Sequence, residues 1–211
     1  MRLLFLIFLS FFLLSDSLFA QAQKEEQIIQ KKKIVVEIWS DVVCPFCYMG
    51  KSNFDRALAQ FEHRDQVEVI WRSFQLDPAL PKGVSETYEN YLILKKGLSK
   101  AQVKSAFSDI AKEGKKMGLT YNFDILQIAN SHNAHLLVQY AKDLGKGSEI
   151  EEALFKAYFT EGIHLGNIEQ VVKVGKSIGL DENYTREAMN SVKYSIGIEK
   201  DLKRAKEFNV N

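Results

Sequence analysis

The stretch IVVEIWSDVVCPFC, residues 34–47, decides the fold. Its first six residues are almost all β-branched or aromatic, which predicts a strand from Ile34 to Trp39. The run is too apolar for simple alternation, so it predicts a central strand that is buried on both faces. A helix is expected to begin at Cys44 and to extend to about Phe61. The strand therefore delivers a cysteine to the start of a helix.

Cys44 and Cys47 are the only cysteines of the chain, and two residues separate them. At a helix start, unpaired N–H groups and the positive end of the helix dipole stabilise a thiolate and lower the pKa of the thiol. Pro45 suits the first turn because its missing N–H would be unpaired there. Cys44 is the predicted nucleophile, and Cys47 is predicted to resolve a mixed disulfide formed on Cys44.

Two other interpretations of the cysteine pair are weaker. A zinc site would need two more ligands, and His132 and His135, with two residues between them, do not have finger-like spacing. A purely structural disulfide would close so short a loop that it would restrict the unfolded chain little. Redox chemistry is therefore the favoured interpretation, and no metal ion is expected.

Charge and length exclude some classes of function. The chain has 211 residues, with 28 basic and 27 acidic side chains. Such a length allows one or two domains with a sizeable core. The balance of charge gives no reason to expect a nucleic acid as partner.

The first 22 residues predict a secretory signal peptide. An apolar run from Leu3 to Leu14 follows a basic start, and Ala20-Gln21-Ala22 offers a cleavage site. An uncleaved anchor is the alternative, but the run is short for a membrane span. We therefore expect a secreted or periplasmic protein without a stable membrane anchor after cleavage. In such a compartment a C-x-x-C pair can work as an oxidant or isomerase as well as a reductant. Residues 23–33 predict a flexible lead-in.

A second strand is predicted from Val67 to Phe74, and helices are predicted after Pro81. Three of these helices are expected to begin with the capping pairs Ser99/Gln102, Asp124/Gln127 and Ser148/Glu151. The predicted organisation is a first part of an α/β domain at 34–82, a helical insertion at 83–192, and a helix at 193–211 that returns to the first part.

Several stretches are typical of one family. They are WSDVVCPFCYMGK (39–51), WRSFQLDP (71–78), NSHNAH (130–135), AYFTEG (157–162) and GLD (179–181). In this order they resemble the DsbA-like branch of the thioredoxin superfamily, close to the FrnE-like proteins and the 2-hydroxychromene-2-carboxylate isomerases. The resemblance implies an α/β, thioredoxin-like fold with a large helical insertion and a dithiol–disulfide active site.

The resemblance also implies a Gly-Val-Pro strand after a segment like AKEFNV (205–210), with a cis-proline that faces the thiols. The sequence stops at this point. We therefore expect a C-terminally truncated member that lacks the cis-proline strand, the last strand and the closing helix. An inactive truncated remnant is accordingly one alternative for the function.

The predicted function is an extracytoplasmic thiol–disulfide oxidoreductase that exchanges disulfides with protein thiols and with a redox partner protein. No cofactor is expected for this function, because the redox-active disulfide carries the electrons. A glutathione-linked isomerase or transferase of a small aromatic substrate is the other alternative, with glutathione as co-substrate. The isomerase branch typically has serine where this chain has Cys44, so two cysteines favour disulfide exchange.

Four residues near the pair are expected to tune its chemistry. Pro45 and Phe46 lie between the thiols, and Phe46 predicts a weaker oxidant than a histidine would give; an apolar contact with unfolded substrate is its other interpretation. A buried carboxylate would accept the proton of Cys47. Glu37 and Asp41 are the candidates for that role.

Asn130 and His135 are candidate substrate-binding or tuning residues. In the isomerase-like relatives this region lies towards the active-site cleft, which is what the resemblance implies for both residues. A packed helix with satisfied histidines is the simpler interpretation of the same positions.

Overall fold

The computed structural model of the chain describes residues 33–84 and 86–210. The predicted signal peptide and nearly all of the lead-in lie outside these residues. The described elements, in chain order, are β1 (Ile34–Ser40), α1 (Pro45–Gln60), β2 (Val67–Ser73), α2 (Tyr88–Lys96), α3 (Lys100–Lys116), α4 (His132–Asp143), α5 (Gly147–Phe159), α6 (Ile168–Ser177), α7 (Glu182–Ala188) and α8 (Val192–Glu207). Two short 3-10 helices, Arg64–Gln66 and Phe123–Ile125, lie between them.

Contacts divide the described chain into two units. The small unit includes 33–36 and 63–68, and within it Lys33 Nζ lies 3.6 Å from Glu68 Oε2. The large unit includes 37–62 together with the described residues from 69 onward. Every residue that is discussed below as part of a site belongs to the large unit.

The described residues contain one sheet, and it has two strands, β1 and β2. The N–H of Phe74 donates to the carbonyl of Ser40 at 3.1 Å. Because both residues lie at the carboxyl ends of their strands, the strands run parallel. The prediction of a β1 buried on both faces is wrong for the described chain, since Ile34 is 50% and Val35 53% exposed. The later residues 36–39 of β1 are half-buried, and Ser40 is buried.

Capping decides where several helices begin. The capping box of α3 is present as predicted: Ser99 Oγ accepts from the N–H of Gln102, and the Gln102 side chain accepts from the N–H of Ser99. The predicted start of a helix at Asp124 is wrong. The backbone of Leu126 and Ile128 pairs instead with Tyr88 and Glu86, which takes the groups that a helix would need.

The core lies in the helical part of the large unit. Its largest fully buried apolar side chains include Phe155, Tyr158, Phe159, Leu137 and Leu154. Helix α5 supplies four of these five residues, and the predicted capping role of Glu151 is wrong because α5 begins before Ser148, at Gly147. Glu151 lies inside the helix and is fully buried.

Helix α8 returns to the strands. Trp39 Nε1 donates to the carbonyl of Asp201 at 2.9 Å, and Arg72 Nη1 lies 2.8 Å from Asp201 Oδ1. None of the helices in the described ranges is both long enough and apolar enough to cross a membrane.

Candidate active site

Cys44 is the N-cap residue of α1, and Pro45 is the first residue of that helix. The backbone of Cys44 is extended, with φ −95° and ψ 114°. Its N–H donates to the carbonyl of Asp41 at 2.9 Å, and its carbonyl accepts from the N–H groups of Cys47 and Tyr48 at 3.1 and 3.3 Å. The end of β1 and the turn after it thus hold Cys44 at the position that the sequence predicts.

The two thiols are half-buried and not joined to each other. A hydrogen bond from the Cys47 thiol, followed by the N–H groups of Cys47 and Phe46, lowers the pKa of Cys44 from 9.0 to about 7, against the opposing effects of burial and of Asp41. The same hydrogen bond, together with burial and the charge of Cys44, raises the pKa of Cys47 far above its ordinary value. One thiol is therefore reactive at neutral pH, and the other holds its proton.

The two residues between the thiols differ in exposure. Pro45 is buried, and its carbonyl accepts from the hydroxyl of Tyr121 at 2.7 Å. Phe46 is 64% exposed, so its ring is open to a partner molecule. The hydrogen bond from Tyr121 ties the first turn of α1 to the helical part of the chain.

Asp41 fastens the turn that leads to Cys44. Its carboxylate is 1% exposed and accepts from the N–H of Leu76 at 2.7 Å and from the N–H of Val43 at 3.3 Å. The same group lies 3.5 Å from Nε2 of His135. Its charge acts on both thiols and raises the pKa of each. Asp41 thus lies close to the cysteine pair, with both oxygens engaged.

Glu37, unlike Asp41, is held by arginine side chains. Its carboxylate pairs with the guanidinium groups of Arg204 and Arg72, at 2.8 Å from Nε of each. The hydrogen bond from Arg204, followed by that from Arg72, lowers the pKa of Glu37 to about 2, against a smaller effect of burial. A carboxylate held between two cations is a poor proton acceptor. The structure does not bring Glu37 to the thiols, and the prediction that it accepts the proton of Cys47 has no support there.

Asn130 holds a loop. Its Nδ2 donates to the carbonyl of Leu80 at 2.5 Å, and its Oδ1 accepts from Gln75 Nε2 at 3.2 Å and from the N–H of His132 at 2.9 Å. The residue thereby connects the segment after β2 to the start of α4. Its amide is engaged in these contacts, so the structure places it as a residue that positions the loop beside the site.

His135 is fully buried on α4, and neither ring nitrogen has a hydrogen-bond partner among the described residues. Burial alone lowers the pKa of its imidazolium, but the carboxylates of Asp41 and Glu151 outweigh that effect and raise the pKa. The expectation of a packed histidine is met, and the ring also has a charged neighbour, since the Asp41 carboxylate lies 3.5 Å from Nε2.

Glu151 is the site residue that sequence reasoning missed. It is fully buried on α5, and neither carboxylate oxygen has a hydrogen-bond partner in the described chain. Burial raises its pKa to about 8; His135 and Lys51 lower it, whereas Cys47 and Asp41 raise it. The sequence does contain one indication of its burial: Glu151 lies between Ile150 and Leu154, on the apolar face of a helix.

Two cavities adjoin the cysteine segment. The first, of about 330 Å³, is lined by Asp41, Val43, Tyr88, Tyr91 and Lys96, among others. Burial and then the charge of Cys44 raise the pKa of Tyr88 to about 12, so this wall faces the reactive thiol. The second cavity, of about 290 Å³, is mostly apolar and is lined by Ile38, Ser40, Cys47, Gly50, Lys51, Phe54 and Trp71.

No group of histidine, cysteine and acidic side chains within 33–84 and 86–210 is arranged to hold a metal ion. A strand that delivers a C-x-x-C pair to a helix start, beside a helical domain, defines a dithiol protein of the thioredoxin fold. Residues 35–211 match the family described as DSBA-like thioredoxin domain. The chain belongs to this family, which confirms the resemblance found in the sequence.

Known proteins support the assignment to this family. The protein YwbO from Bacillus subtilis is 28% identical over 176 residues, which cover 82% of this chain and 80% of YwbO. A probable DsbA oxidoreductase from Streptomyces coelicolor is 30% identical, with a TM-score of 0.77 over 82% of this chain and 75% of that one. A 2-hydroxychromene-2-carboxylate isomerase shares the fold, with 14% identity and a TM-score of 0.59 over 82% of this chain and 80% of that one.

Proposed function

We propose that the chain is a thiol–disulfide oxidoreductase that exchanges disulfides with protein thiols. The observation that carries the proposal is the asymmetry of the two thiols: the pKa of Cys44 is lowered to about 7, whereas that of Cys47 is strongly raised. About half of Cys44 is then thiolate near neutral pH, and this form attacks disulfides and leaves readily. Membership of the DsbA-like family supports the same chemistry.

In the oxidising direction, a substrate thiolate attacks the sulfur of Cys44 in the Cys44–Cys47 disulfide. The bond between the two cysteines breaks, and its electron pair goes to the sulfur of Cys47. A second substrate thiolate then attacks the substrate sulfur of the mixed disulfide and releases Cys44 as a thiolate. The substrate loses two electrons and becomes a disulfide, and the pair becomes a dithiol; the reverse steps reduce a substrate.

The exposed ring of Phe46 supports a protein substrate. At 64% exposure it is an apolar contact surface directly beside the reactive sulfur. A partner that covers this ring brings its own cysteine to Cys44. We also infer that the chain acts outside the cytosol with a redox partner protein, because residues 1–22 have the pattern of a signal peptide.

Two variants test the proposal. Cys47→Ser is expected to accumulate a mixed disulfide between Cys44 and a protein substrate that contains disulfides, since the Cys44 thiolate attacks a substrate disulfide, releases one substrate thiolate, and the resolving thiol is missing. Cys44→Ser is expected to lose exchange entirely, down to the uncatalysed rate. Non-reducing electrophoresis and peptide mass measure the adduct. Exchange by Cys44→Ser at the wild-type rate would show that the proposal is wrong.

A second candidate function is a glutathione-linked reaction on a small aromatic substrate. The cavity of about 330 Å³ beside Cys44 favours it, because tyrosine rings line it and Lys96 is the basic side chain among its lining residues. The two functions separate in the same experiment. Tight binding of glutathione without formation of a protein adduct on Cys47→Ser would favour the second one.

A further inference from the structure

Glu151 is a carboxyl group in the core without a described partner. Its residue is 0% exposed, and neither oxygen has a hydrogen-bond partner in the part of the chain that the structure describes. Its neighbours along α5, Ile150 and Leu154, are equally buried. A buried charge without a hydrogen-bonded partner costs several kcal/mol. Such a group calls for an explanation other than stability.

Contacts between α1 and α5 place Glu151 opposite Cys47. The ring of Tyr48 stacks on Phe155 at 4.9 Å, and Lys51 Nζ lies 3.4 Å from Ser148 Oγ. On α5, Ser148 and Phe155 are one turn before and one turn after Glu151, so all three share a face. Cys47 precedes Tyr48 and lies one turn before Lys51, on the stretch of α1 that this face covers.

Charged groups from three elements surround the Glu151 carboxyl group. His135 comes from α4, Lys51 and Cys47 come from α1, and Asp41 comes from the turn after β1. The cations lower the pKa of Glu151, and burial, the Cys47 thiolate and Asp41 raise it, with a result of about 8. Such a carboxyl group both accepts and donates a proton near neutral pH.

The two carboxylates that the sequence suggested as proton acceptors of Cys47 are engaged in other contacts. The oxygens of Asp41 accept from two backbone N–H groups, and those of Glu37 are held by two guanidinium groups. Among buried carboxylates of the described chain, only Glu151 has oxygens without a hydrogen-bond partner. It is therefore the group that is free to take up a proton beside Cys47.

We propose that Glu151, supplied by the helical domain, is the proton-exchange group of Cys47. This inference rests on the proposed function. When a substrate thiolate opens the disulfide, Cys47 leaves with the electron pair of the S–S bond and takes the proton of the Glu151 carboxyl group. When Cys47 resolves a mixed disulfide, its thiol gives that proton to the Glu151 carboxylate as its sulfur attacks Cys44, and the bond from Cys44 to the partner breaks and releases the partner's thiolate.

The test is the pH dependence of the resolving step in the full chain. Reduced protein is mixed with glutathione disulfide, and the reaction is stopped with acid and analysed by mass. Cys44 first forms a mixed disulfide with glutathione, and Cys47 then displaces the glutathione. In Glu151→Gln the second step is expected to be slower at pH 7 by on the order of 10²-fold, because the thiol has lost its general base. The first step is expected to be unchanged.

The pH dependence of the resolving step distinguishes proton exchange from a structural role of Glu151, because a structural role would not change it. In Glu151→Gln, resolution is expected to rise about tenfold per pH unit, because hydroxide must then remove the proton. In the wild type the rate is expected to level off above the pKa of Glu151. Glu149→Gln is the matched control: it removes the same charge two residues earlier on α5, at an exposed side chain, and is expected to resolve at the wild-type rate.

Each outcome decides a different point. A wild-type rate and profile in Glu151→Gln, or an equal loss in Glu149→Gln, overturns the assignment of Glu151 while the proposed function stands. The absence of any reaction between the reduced wild-type protein and glutathione disulfide overturns the proposed function itself. If Glu151→Gln fails to fold, the test is made on the wild type with isotope-labelled glutamate. Infrared spectroscopy then measures the band of the protonated carboxyl group. That band must change between the oxidised and reduced chain, and an unchanged band overturns the assignment.

Discussion

Three carboxylates, Glu37, Asp41 and Glu151, show how the environment of a residue decides its chemistry. Glu37 lies between two arginines, and its pKa falls to about 2. Asp41 is as buried as Glu151, but its oxygens accept backbone N–H groups. Glu151 has burial without hydrogen bonds, and its pKa rises to about 8. The carboxylate thus forms ion pairs at Glu37, accepts hydrogen bonds that stabilise a turn at Asp41, and exchanges a proton at Glu151.

The raised pKa of Glu151 predicts a pH-dependent stability. Between pH 4.5 and about 8 the folded chain keeps a proton that the unfolded chain has released, so the wild type loses stability as the pH rises. Glu151→Gln cannot bind this proton. Its free energy of unfolding relative to the wild type is therefore expected to increase by up to about 1.4 kcal/mol for each pH unit in this range. Urea unfolding at several pH values between 5 and 8 measures it. A pH-independent difference would contradict this prediction.

Sequence reasoning identified the thiols but not this carboxyl group, for a physical reason. The position of Cys44 follows from local rules, because a β-branched run, a turn and a proline suffice to place a helix start. Glu151 follows three residues after Ser148, a spacing that imitates a capping box. Only the packing of α5 against α1 shows that its side chain points into the core.

At the scale of elements, α8 is held to the strands and to α4 by one buried carboxylate. Asp201 accepts from Arg72 Nη1 at 2.8 Å, from the N–H of Ser73 at 3.0 Å and from Gln139 Nε2 at 2.6 Å. Lys142 Nζ lies 3.3 Å from the same group. Because these donors come from two other elements, Asp201 joins three parts of the fold.

Asp201→Ala is expected to lower the free energy of unfolding by about 1 to 3 kcal/mol, because the buried N–H of Ser73 loses its acceptor and α8 loses its contacts with Arg72 and Gln139. Glu199→Ala, on the same helix and exposed, is the matched control and is expected to change little. Chemical denaturation measures both. A loss in Asp201→Ala no larger than that of the control would show that the network does not hold α8.

Elements that depend on local signals were predictable, and those that depend on distant pairing were not. The capping box at Ser99 begins α3 as its residues predict. The segment after Asp124 has an equally good local signal, but its backbone pairs with residues 86–88 and the helix begins only at His132. A capping rule considers only neighbouring residues, so it cannot predict pairing with a segment some forty residues away in sequence.

At the scale of the whole molecule, the site combines residues from the N-terminal part and from the middle of the described chain. Cys47 lies on the first helix, whereas His135 and Glu151 come from helices α4 and α5 of the region predicted as an insertion. The motifs predicted the family and the dithiol pair, because these reside in short stretches. The buried cluster depends on contacts across about a hundred residues, and neither periodicity nor spacing specifies such contacts.

Export of the full chain is a prediction from its first 22 residues. We expect that expression of all 211 residues gives an extracytoplasmic protein whose first residue is Gln21 or Gln23, because the apolar run before these residues directs cleavage there. Leu9→Arg, which puts a charge into the run, is expected to keep the chain inside the cell, and Leu9→Ile is the control. Cell fractionation and N-terminal sequencing measure both. An unprocessed wild-type chain inside the cell would contradict the proposed location.

The position of Cys44 at the start of α1 has a consequence for recognition. In the reduced chain the N–H groups of Phe46 and Cys47 stabilise a sulfur anion at the helix end. A disulfide carries no such charge, so its formation removes the anion from this end. The start of α1 is therefore more negative in the reduced chain than in the oxidised chain. A partner protein with a charged contact surface can discriminate between the two redox forms by this difference.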